Sequence, residues 1–426
     1  MKTKSQEKGQ IIIILALGLV GLLALTALAL DGSRIYNERR TDQSTADSAA
    51  LAGAGAAAQS MKDSAPSSFY CGSALGALAS TNAVNAAVES ALADDINLVI
   101  NDFSTGNGVQ VTCGKNLFAT YLDVRVMVTT EMTTTFATVI GRDTLTTVVE
   151  STARVYPKQP AAYGNAIVSL SNSCGNIGGI DFGGNGDINI NKGGVFSNSC
   201  IYGGGSAHVN IVGGDASFYT SYTGSCPGVI SPCPVQVTEK LPDLNIKEPI
   251  CTNAAYTTAP GVGTISPGNY NGIFVNSKDT LKFAPGLYCL KGDFDVNANA
   301  TIWAENVTIR FNSGTTKFNG AAELHLTAPN CESSICGVGP AVRGLLMYIP
   351  PENEATVTLN GSSLNDYVGT IYGPTTNFKI NGTSYSDTFN TQIIGNRVTF
   401  SGTANMFMNM EGAELYQQPA WVELLK

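Results

Sequence analysis

The sequence predicts two units of different fold class along one chain. The first is an α+β unit with one long N-terminal helix, a short helix and a small antiparallel sheet. The second is all-β, a right-handed parallel β-helix, or β-solenoid. Three observations predict this division: an apolar run that continues into an alanine-rich polar segment, a change to two-residue alternation after Asp95, and a repeat of about 20 residues in the second half.

The apolar run extends from Ile11 to Leu30 and contains no charged residue. At about 1.5 Å per residue, twenty helical residues match the ~30 Å hydrocarbon core of a bilayer. The alanine-rich segment that follows contains no proline before Met61, so we expect the helix to continue outside the membrane. The sequence therefore predicts a cytoplasmic N-terminus at residues 1–10 and a transmembrane helix at 11–30.

The orientation of the chain in the membrane is predicted from the positions of its cysteines rather than from its charges. Three lysines precede the run and three arginines follow it closely, so the positive-inside rule favours neither side. All ten cysteines follow the run, which indicates disulfides in an oxidising compartment. We therefore expect residues 31–426 to be extracytoplasmic in a single-pass cell-membrane protein. Ala27-Leu28-Ala29 offers a secretory cleavage site as an alternative, but the run exceeds the usual signal length, which favours a retained anchor.

The run is framed by a motif with a fixed order of residues. Its members are Gly9, Gln10, Asp31, Gly32, Arg34, Tyr36, Gln43, Ala46, Asp47, Ala50, Leu51, Ala52 and Gly53. This combination resembles the N-terminal segment of TadG-like proteins, which belong to the Flp pilus, or tight-adherence, systems. The resemblance covers residues 8–60 closely and 61–156 loosely.

The resemblance implies a role in pilus assembly or surface attachment, as a structural or adhesive component. The apolar run predicts the lipid bilayer as a partner, the resemblance implies other pilus-assembly or envelope proteins, and the polar and aromatic faces of a solenoid offer surface glycans as the alternative. Pseudopilin-like relatives carry a glutamate five residues into the mature helix, where this chain has Ile14. That difference favours an anchor over the alternative of a filament subunit that begins at Gln10.

Residues 31–156 complete the first predicted unit. Apolar residues recur every three to four positions from Ala74 to Asp95, which predicts a helix. Four alternating β-branched runs follow and predict the sheet, a layout that is pilin-like. Cys71 and Cys113 are the two cysteines of this part and are natural disulfide partners. The sequence PKQP, which begins at Pro157, marks the boundary.

Residues 157–426 contain the repeat. FGG at 182–184 recurs as YGG twenty residues later, DINI at 187–190 recurs as HVNI after twenty-one, and a Gly-Gly pair recurs after twenty. Four C-terminal glycines are spaced by 41, 21 and 20 residues. Such a period without helices is typical of a solenoid, whereas the alternative, an antiparallel sandwich, does not explain it.

Two breaks in the repeat, near 224–270 and 330–340, are predicted to be disulfide-rich excursions. Proximity suggests the pairs Cys226–Cys233 and Cys331–Cys336, but the eight cysteines of this unit allow 105 connectivities.

Composition and motifs exclude several function classes. A net charge of −9 argues against a nucleic-acid partner. Motifs for a cofactor, a metal site or a nucleotide are missing, so none of these is predicted. Parallel β-helices host glycan-cleaving enzymes, and Asp293 and Asp295 are the best carboxylate pair because alternate strand residues share one face. We expect both carboxylates to face outward into solvent rather than to form a catalytic pair. The sequence therefore predicts a non-enzymatic surface protein, with a membrane-tethered polysaccharide-active enzyme as the alternative.

Overall fold

The computed structural model describes residues 10–62, 64, 68–104, 106–175, 178–330, 340–361, 365–382, 389–402, 406–410 and 414–425. Within these residues the chain divides into two compact units. One unit is Gln159–Gln418, and the other is formed by the rest of the described chain on both sides of it. The boundary at residue 158 falls within the predicted PKQP sequence.

The predicted long helix is confirmed. Helix α1 (Gln10–Met61) has 52 residues, which correspond to about 78 Å of helix. No residue of its apolar part is buried among those whose side chains are described, and it is the one helix in the described chain long and apolar enough to cross a membrane. Helix α2 (Ala74–Leu92) begins where the Ser73 hydroxyl accepts a hydrogen bond from the backbone N–H of Gly76 at 3.0 Å.

The sheet of the first unit contains four strands that follow α2 in the sequence. These are β1 (Val99–Ile100), β2 (Gly108–Lys115), β3 (Thr120–Thr133) and β4 (Thr144–Tyr156). Pairing from β2 to β4 is antiparallel, as predicted, but β1 pairs with β2 in parallel. A 3₁₀ helix (Ala137–Ile140) connects β3 to β4.

A fifth strand corrects the predicted boundary of the second unit at residue 426. Trp421–Leu425 returns to the first unit and pairs antiparallel with β4. The Trp421 ring stacks on Tyr156, with centroids 4.5 Å apart. The reason is that β4 would otherwise be an unpaired edge, and this strand satisfies its backbone groups. The solenoid is therefore an insertion between two neighbouring strands of this sheet.

The second unit is a β-solenoid of about ten coils, as predicted. Its entry strand β5 (Gln159–Pro160) pairs with its exit strand β31 (Gln417–Gln418), so the two ends of the unit are adjacent. A 3₁₀ helix (Ala161–Gly164) follows β5.

Coils 1 to 4 come first in the sequence. Their strands are β6 (Asn165–Ser169), β7 (Ile180–Phe182), β8 (Asp187–Asn191), β9 (Gly194–Ser197), β10 (Cys200–Gly203), β11 (His208–Val212), β12 (Ala216–Phe218), β13 (Ser221–Thr223), β14 (Ile230–Ser231) and β15 (Val235–Gln236). Each coil takes about three strands, and coil 4 consists of β15 alone.

Coils 5 to 10 follow after a gap in the repeat. Their strands are β16 (Gly263–Ile265), β17 (Gly268–Tyr270), β18 (Ile273–Val275), β19 (Thr280–Phe283), β20 (Gly286–Leu290), β21 (Phe294–Val296), β22 (Thr301–Ala304), β23 (Val307–Phe311), β24 (Thr316–Phe318), β25 (Glu323–Thr327), β26 (Leu345–Tyr348), β27 (Val357–Gly361), β28 (Asp366–Gly382), β29 (Phe389–Gly402) and β30 (Met406–Asn409). The strand Trp421–Leu425 is then β32. Coil 9 is β28, and coil 10 is β29 with β30.

All strand pairs along the stack are parallel, which excludes the antiparallel sandwich. Alternate side chains fill a continuous interior of aliphatic and aromatic residues, such as Phe182 stacked on Phe400 with centroids 5.0 Å apart. Each coil buries its apolar positions only against its neighbours, so the stack forms as a unit. The right-handed sense of the coil stays a prediction.

The order of coils in space differs from their order in the sequence. Coil 10 pairs with coil 1: Ile393 lies opposite Ile167, Val398 opposite Ile180, and Met406 opposite Ile188. The stack therefore runs from coil 5 to coil 10 and then from coil 1 to coil 4. The chain enters the stack at coil 1, in the middle, and forms coils 1 to 4 towards one end. It then crosses to the opposite end, where it forms coil 5, and continues to coil 10, which lies on coil 1.

Residues 237–262, here called the crossing segment, connect these two ends. The N–H of Leu241 donates a hydrogen bond to the side-chain oxygen of Asn198 in coil 2, at 2.7 Å. Further along, Cys251 forms a disulfide with Cys289 of coil 6, and Thr257 bridges to Tyr270 of coil 5. The predicted excursion near 224–270 is thus narrower than expected: β14, β15, β16 and β17 belong to coils, and only residues 237–262 cross the stack.

The register confirms some of the repeat and corrects the rest. His208 lies opposite Asp187, and Gly382 pairs with both Gly361 and Gly402, as the spacing predicted. Phe182, however, lies opposite Gly203 rather than Tyr202. Val195 lies opposite Ala216, so the Gly-Gly pairs are also displaced by one residue. The step is 21 residues from Phe182 to Gly203 but 20 from Ile380 to Phe400, so the corners of the coils differ in length while the inward side chains stay in line.

Candidate functional site

The motif residues of α1 hold the helix to the rest of the first unit. Both carboxylate oxygens of Asp31 accept backbone N–H groups at the start of the 3₁₀ helix: Thr135 at 3.1 Å, Phe136 at 2.9 Å and Ala137 at 2.8 Å. Arg34 donates to the Thr135 hydroxyl at 2.7 Å. The Asp-Gly-x-Arg sequence thus caps a short helix that is about one hundred residues distant in sequence.

These contacts determine the protonation of Asp31. Burial alone raises its pKa, but the N–H groups of Phe136, Thr135 and Ala137 and the nearby Arg34 charge together lower the pKa below its ordinary value. The carboxylate is therefore held ionised at neutral pH and acts as a helix cap.

Asp42 is a second carboxylate of this kind that sequence reasoning missed. Its side chain accepts the hydroxyl of Thr130 at 2.6 Å and also that of Thr147. The available signal was its spacing from Asp31: eleven residues are three helical turns, so both carboxylates lie on one face of α1. Gln43 donates to Asp47 at 2.8 Å on the same helix, and to the Glu150 carbonyl at 3.4 Å.

The alanine-rich half of the motif forms a close helix–helix contact. Ala46, Ala50 and Gly53 are buried, and they pack with the buried alanines of α2. A Cβ atom placed on Gly53 would lie 2.8 Å from the Ala83 carbonyl oxygen and 2.9 Å from a Val124 methyl group. Small residues are therefore required because the two helix backbones approach closely.

Four of the described motif positions remain open to solvent. Gly32 and Arg34 are exposed, Tyr36 is 70% exposed and Leu51 is 41% exposed, whereas Ala52 is half-buried. Tyr36 lies beside Arg39 and Arg40 on an open face of α1, only a few residues beyond Leu30. Tyrosine and arginine at this position suit the interface between membrane and water. Gly9 lies outside the described residues, and so does the side chain of Gln10.

The structure also places the predicted disulfide candidates. Cys71 is joined to Cys113 in the first unit, and Cys226 is joined to Cys233 in the solenoid. Two further disulfides, Cys174–Cys200 and Cys251–Cys289, join residues 26 and 38 positions apart, which is too far for proximity in sequence to suggest them. Cys331 and Cys336 lie outside the described residues.

The candidate carboxylate pair lies on an outer face of coil 6. Phe294 and Val296 are buried, so Asp295 points outward between them. Asp293 forms an ion pair with Lys317 and accepts the Thr315 N–H at 3.0 Å. These contacts, chiefly the hydrogen bond from Lys317, lower the pKa of Asp293. A general acid needs a raised pKa, so this geometry does not favour that role for Asp293.

A second polar cluster, on another outer face, links coils 7, 8 and 9. The His325 ring contacts Asp366 through Nδ1 at 2.9 Å and Glu323 through Nε2 at 3.1 Å. The Trp303 indole stacks on this imidazole, with centroids 3.9 Å apart. Side-chain contacts in this cluster link three successive coils. Among the described residues, no group of three or more His, Cys, Asp or Glu side chains could hold a metal ion.

Comparison with known proteins bears on the N-terminal part alone. Residues 9–58 match the family described as "Putative Flp pilus-assembly TadE/G-like". No curated protein and no solved structure matches the chain. The matched residues include the apolar part of α1 and the side chains of α1 that contact the 3₁₀ helix and α2. The chain thus carries a TadE/G-like segment of the Flp pilus-assembly type at its N-terminus, followed by a β-solenoid.

Proposed function

We propose that this chain is a membrane-anchored envelope protein that acts in Flp, or tight-adherence, pilus assembly or surface attachment as a structural and adhesive component. The observation that carries the proposal is the continuity of α1. Its exposed apolar half suits a bilayer, and its second half holds a folded unit through the TadE/G-like motif. The solenoid inserted into that unit is the part that would meet partners or surfaces.

The orientation is part of the proposal. We infer a cytoplasmic N-terminus and an extracytoplasmic location for residues 31–426, supported by four disulfides in the described chain. Protease added to intact cells, after removal of any outer layer, should digest the solenoid and leave a membrane-bound fragment that contains α1. Complete protection of the solenoid would contradict this orientation.

A deletion strain tests the role itself. Cells that lack the chain should assemble fewer pili, attach less to surfaces, or both. A second strain, in which a short linker replaces residues 159–418, separates the two roles because the ends of that segment are adjacent. Normal pili with reduced attachment would assign adhesion to the solenoid. Wild-type pili and attachment in the full deletion would overturn the proposal.

We infer a non-catalytic role, and the alternative is an enzyme that acts on polysaccharides. The ion pair between Asp293 and Lys317 supports the inference. Incubation of the full chain with acidic and neutral glycans should give no turnover. Turnover that disappears in Asp293→Asn or Asp295→Asn would favour the enzyme. A third class, a filament subunit, requires Gln10 as the mature N-terminus, and mass spectrometry of the intact protein checks this.

A further inference from the structure

An open concavity of about 780 Å³ lies where the crossing segment meets coils 6 and 7. Glu248 and residues 250–256 form one wall, here called the near wall, and Lys291, Arg310 and Asn312 form the other, the far wall. No function described above uses this concavity. Polar and apolar surface contribute about equally to its lining, and the chemistry of the polar groups indicates what it can bind.

Polar side chains connect the far wall to the near wall. Asn312 donates to the Tyr256 hydroxyl at 2.6 Å and accepts from the Arg310 guanidinium at 2.6 Å. Arg310 also donates to the Pro249 carbonyl at 2.6 Å and pairs with Glu248 at 2.5 Å. The positions of the phenol, the amide and the guanidinium are therefore fixed before any ligand arrives.

Lys291 supplies positive charge that no carboxylate of the described chain neutralises within 4 Å. Its ammonium group lies 4.1 Å from the centroid of the Tyr256 ring. The residue is exposed, whereas the Arg310 charge is already paired. In a chain with net charge −9, an unneutralised cation in a concavity favours an anionic ligand.

The near wall supplies backbone donors. The buried Asn269 donates through Nδ2 to the carbonyls of Thr252, at 2.9 Å, and Ala254, at 2.7 Å. In a trans peptide the N–H points opposite to the carbonyl, so the N–H groups of Asn253 and Ala255 point away from Asn269. Neither N–H donates to an acceptor in the described part of the chain. Both are available to donate hydrogen bonds to the oxygen atoms of a ligand.

The disulfide between Cys251 and Cys289 fixes the near wall to coil 6. A wall held in this way loses little conformational entropy when a ligand binds. The concavity therefore combines a cation, fixed neutral donors and an aromatic ring on a rigid frame.

We propose that this concavity binds an acidic saccharide, with its carboxylate at Lys291 and its hydroxyl groups at Tyr256, Asn312 and the free N–H groups. This inference rests on the proposed role in surface attachment and names the class of ligand. A saccharide suits the site better than an acidic peptide, because the concavity is open and offers no enclosed apolar pocket for peptide side chains, while an aromatic ring and polar donors line it.

Calorimetry on the full chain in nanodiscs of neutral lipid tests the proposal. Oligogalacturonate should bind at least tenfold more tightly than a neutral galactose oligomer of the same length. Lys291→Gln should reduce the affinity for oligogalacturonate at least tenfold, and Lys291→Arg should restore most of it. Lys282→Gln, an exposed lysine on another part of the solenoid, should leave the affinity unchanged.

Four outcomes would overturn the proposal: equal affinity for the acidic and neutral oligomers, unchanged affinity in Lys291→Gln, equally tight binding of inorganic phosphate, or tighter binding of an acidic peptide. None of these outcomes alters the phenotype of the deletion strain. Failure of the saccharide proposal is therefore distinguishable from failure of the proposed role in pilus assembly.

Discussion

Gly53 is a residue at which α1 closely approaches α2 and β3. A methyl group at this position would overlap the Ala83 carbonyl and the Val124 side chain, and backbone atoms cannot give way cheaply. Gly55 is two residues further along the same helix, and a Cβ atom there would have no neighbour within 4 Å. Packing therefore requires glycine at position 53 but does not require it at position 55.

We expect Gly53→Ala to destabilise the first unit by about 1–3 kcal/mol through overpacking. Gly55→Ala is the matched control and should be neutral or stabilising by up to about 1 kcal/mol, because alanine is the better helix former. Thermal unfolding of the full chain in detergent, followed by circular dichroism, measures both. Equal effects of the two substitutions would contradict the close contact at Gly53.

Asp31 gives a prediction about pH. Folding lowers its pKa below the ordinary value of 3.8, so its contribution to stability is complete above that value and is lost as the pH falls through the lowered pKa. Asp31→Asn should therefore reduce the unfolding temperature at pH 7, and the difference from the wild type should shrink as the pH falls below about 4. Thermal melts across this range, with Glu38→Gln as a control on the same helix, check it. A difference that stays constant with pH would refute the capping role of the carboxylate.

At the scale of elements, the crossing segment has little secondary structure of its own and depends on contacts with coils. Leu241 and Ile246 are buried, and the disulfide at Cys251 fixes the middle of the segment. Apart from the single bridge at Thr257, the segment forms no strand, so side-chain contacts and this covalent link hold it.

We expect the double substitution Cys251→Ser with Cys289→Ser to destabilise the solenoid by about 2–4 kcal/mol, because the disulfide closes a loop of 38 residues. The double substitution Cys226→Ser with Cys233→Ser is the matched control, since its partners are only 7 residues apart and the entropic effect is smaller. Protease cleavage within residues 237–262 should increase in the first variant only. Equal cleavage in both would contradict a pinned crossing segment.

The whole second unit is a stack whose sequence order and spatial order differ. Because coil 10 lies on coil 1, coils 1 to 4 are continuous with coils 5 to 10 rather than forming a separate end. The same arrangement brings β5 and β31 together, which explains how a unit of this size can be inserted between β4 and β32. Insertions are tolerated when the ends of the inserted unit are adjacent.

A fragment of residues 159–418 should therefore fold alone and unfold in one cooperative transition. A shorter fragment that ends at residue 382 lacks coil 10 and should lose much of its stability, because the inner faces of coils 9 and 1 lose their partner. Circular dichroism melts of the two fragments make the comparison. Equal melting temperatures would show that the contact between coils 10 and 1 contributes little.

Local features of the protein follow from the amino-acid sequence alone. Unbroken helix-forming residues from Ile11 to Met61 predicted α1, and the repeat of about 20 residues predicted parallel coils. Both follow from backbone preferences and from the spacing of inward side chains, which depend on residues close together in the chain. The disulfide partners that are near in sequence were also accessible, as Cys226 and Cys233 show.

Long-range features, by contrast, depend on the folded arrangement: which coils are neighbours, which strand completes the first sheet, and which groups line the concavity. Every coil has a similar shape and offers similar backbone hydrogen bonds. The repeat in the sequence therefore does not predict that Ile167 lies opposite Ile393 in the middle of the stack rather than at its end. The partners of Asp31 and the walls around Lys291 come together in the same way, from segments far apart in the chain. Stacking energies act between neighbours in space, and the sequence period specifies a coil but not its neighbour.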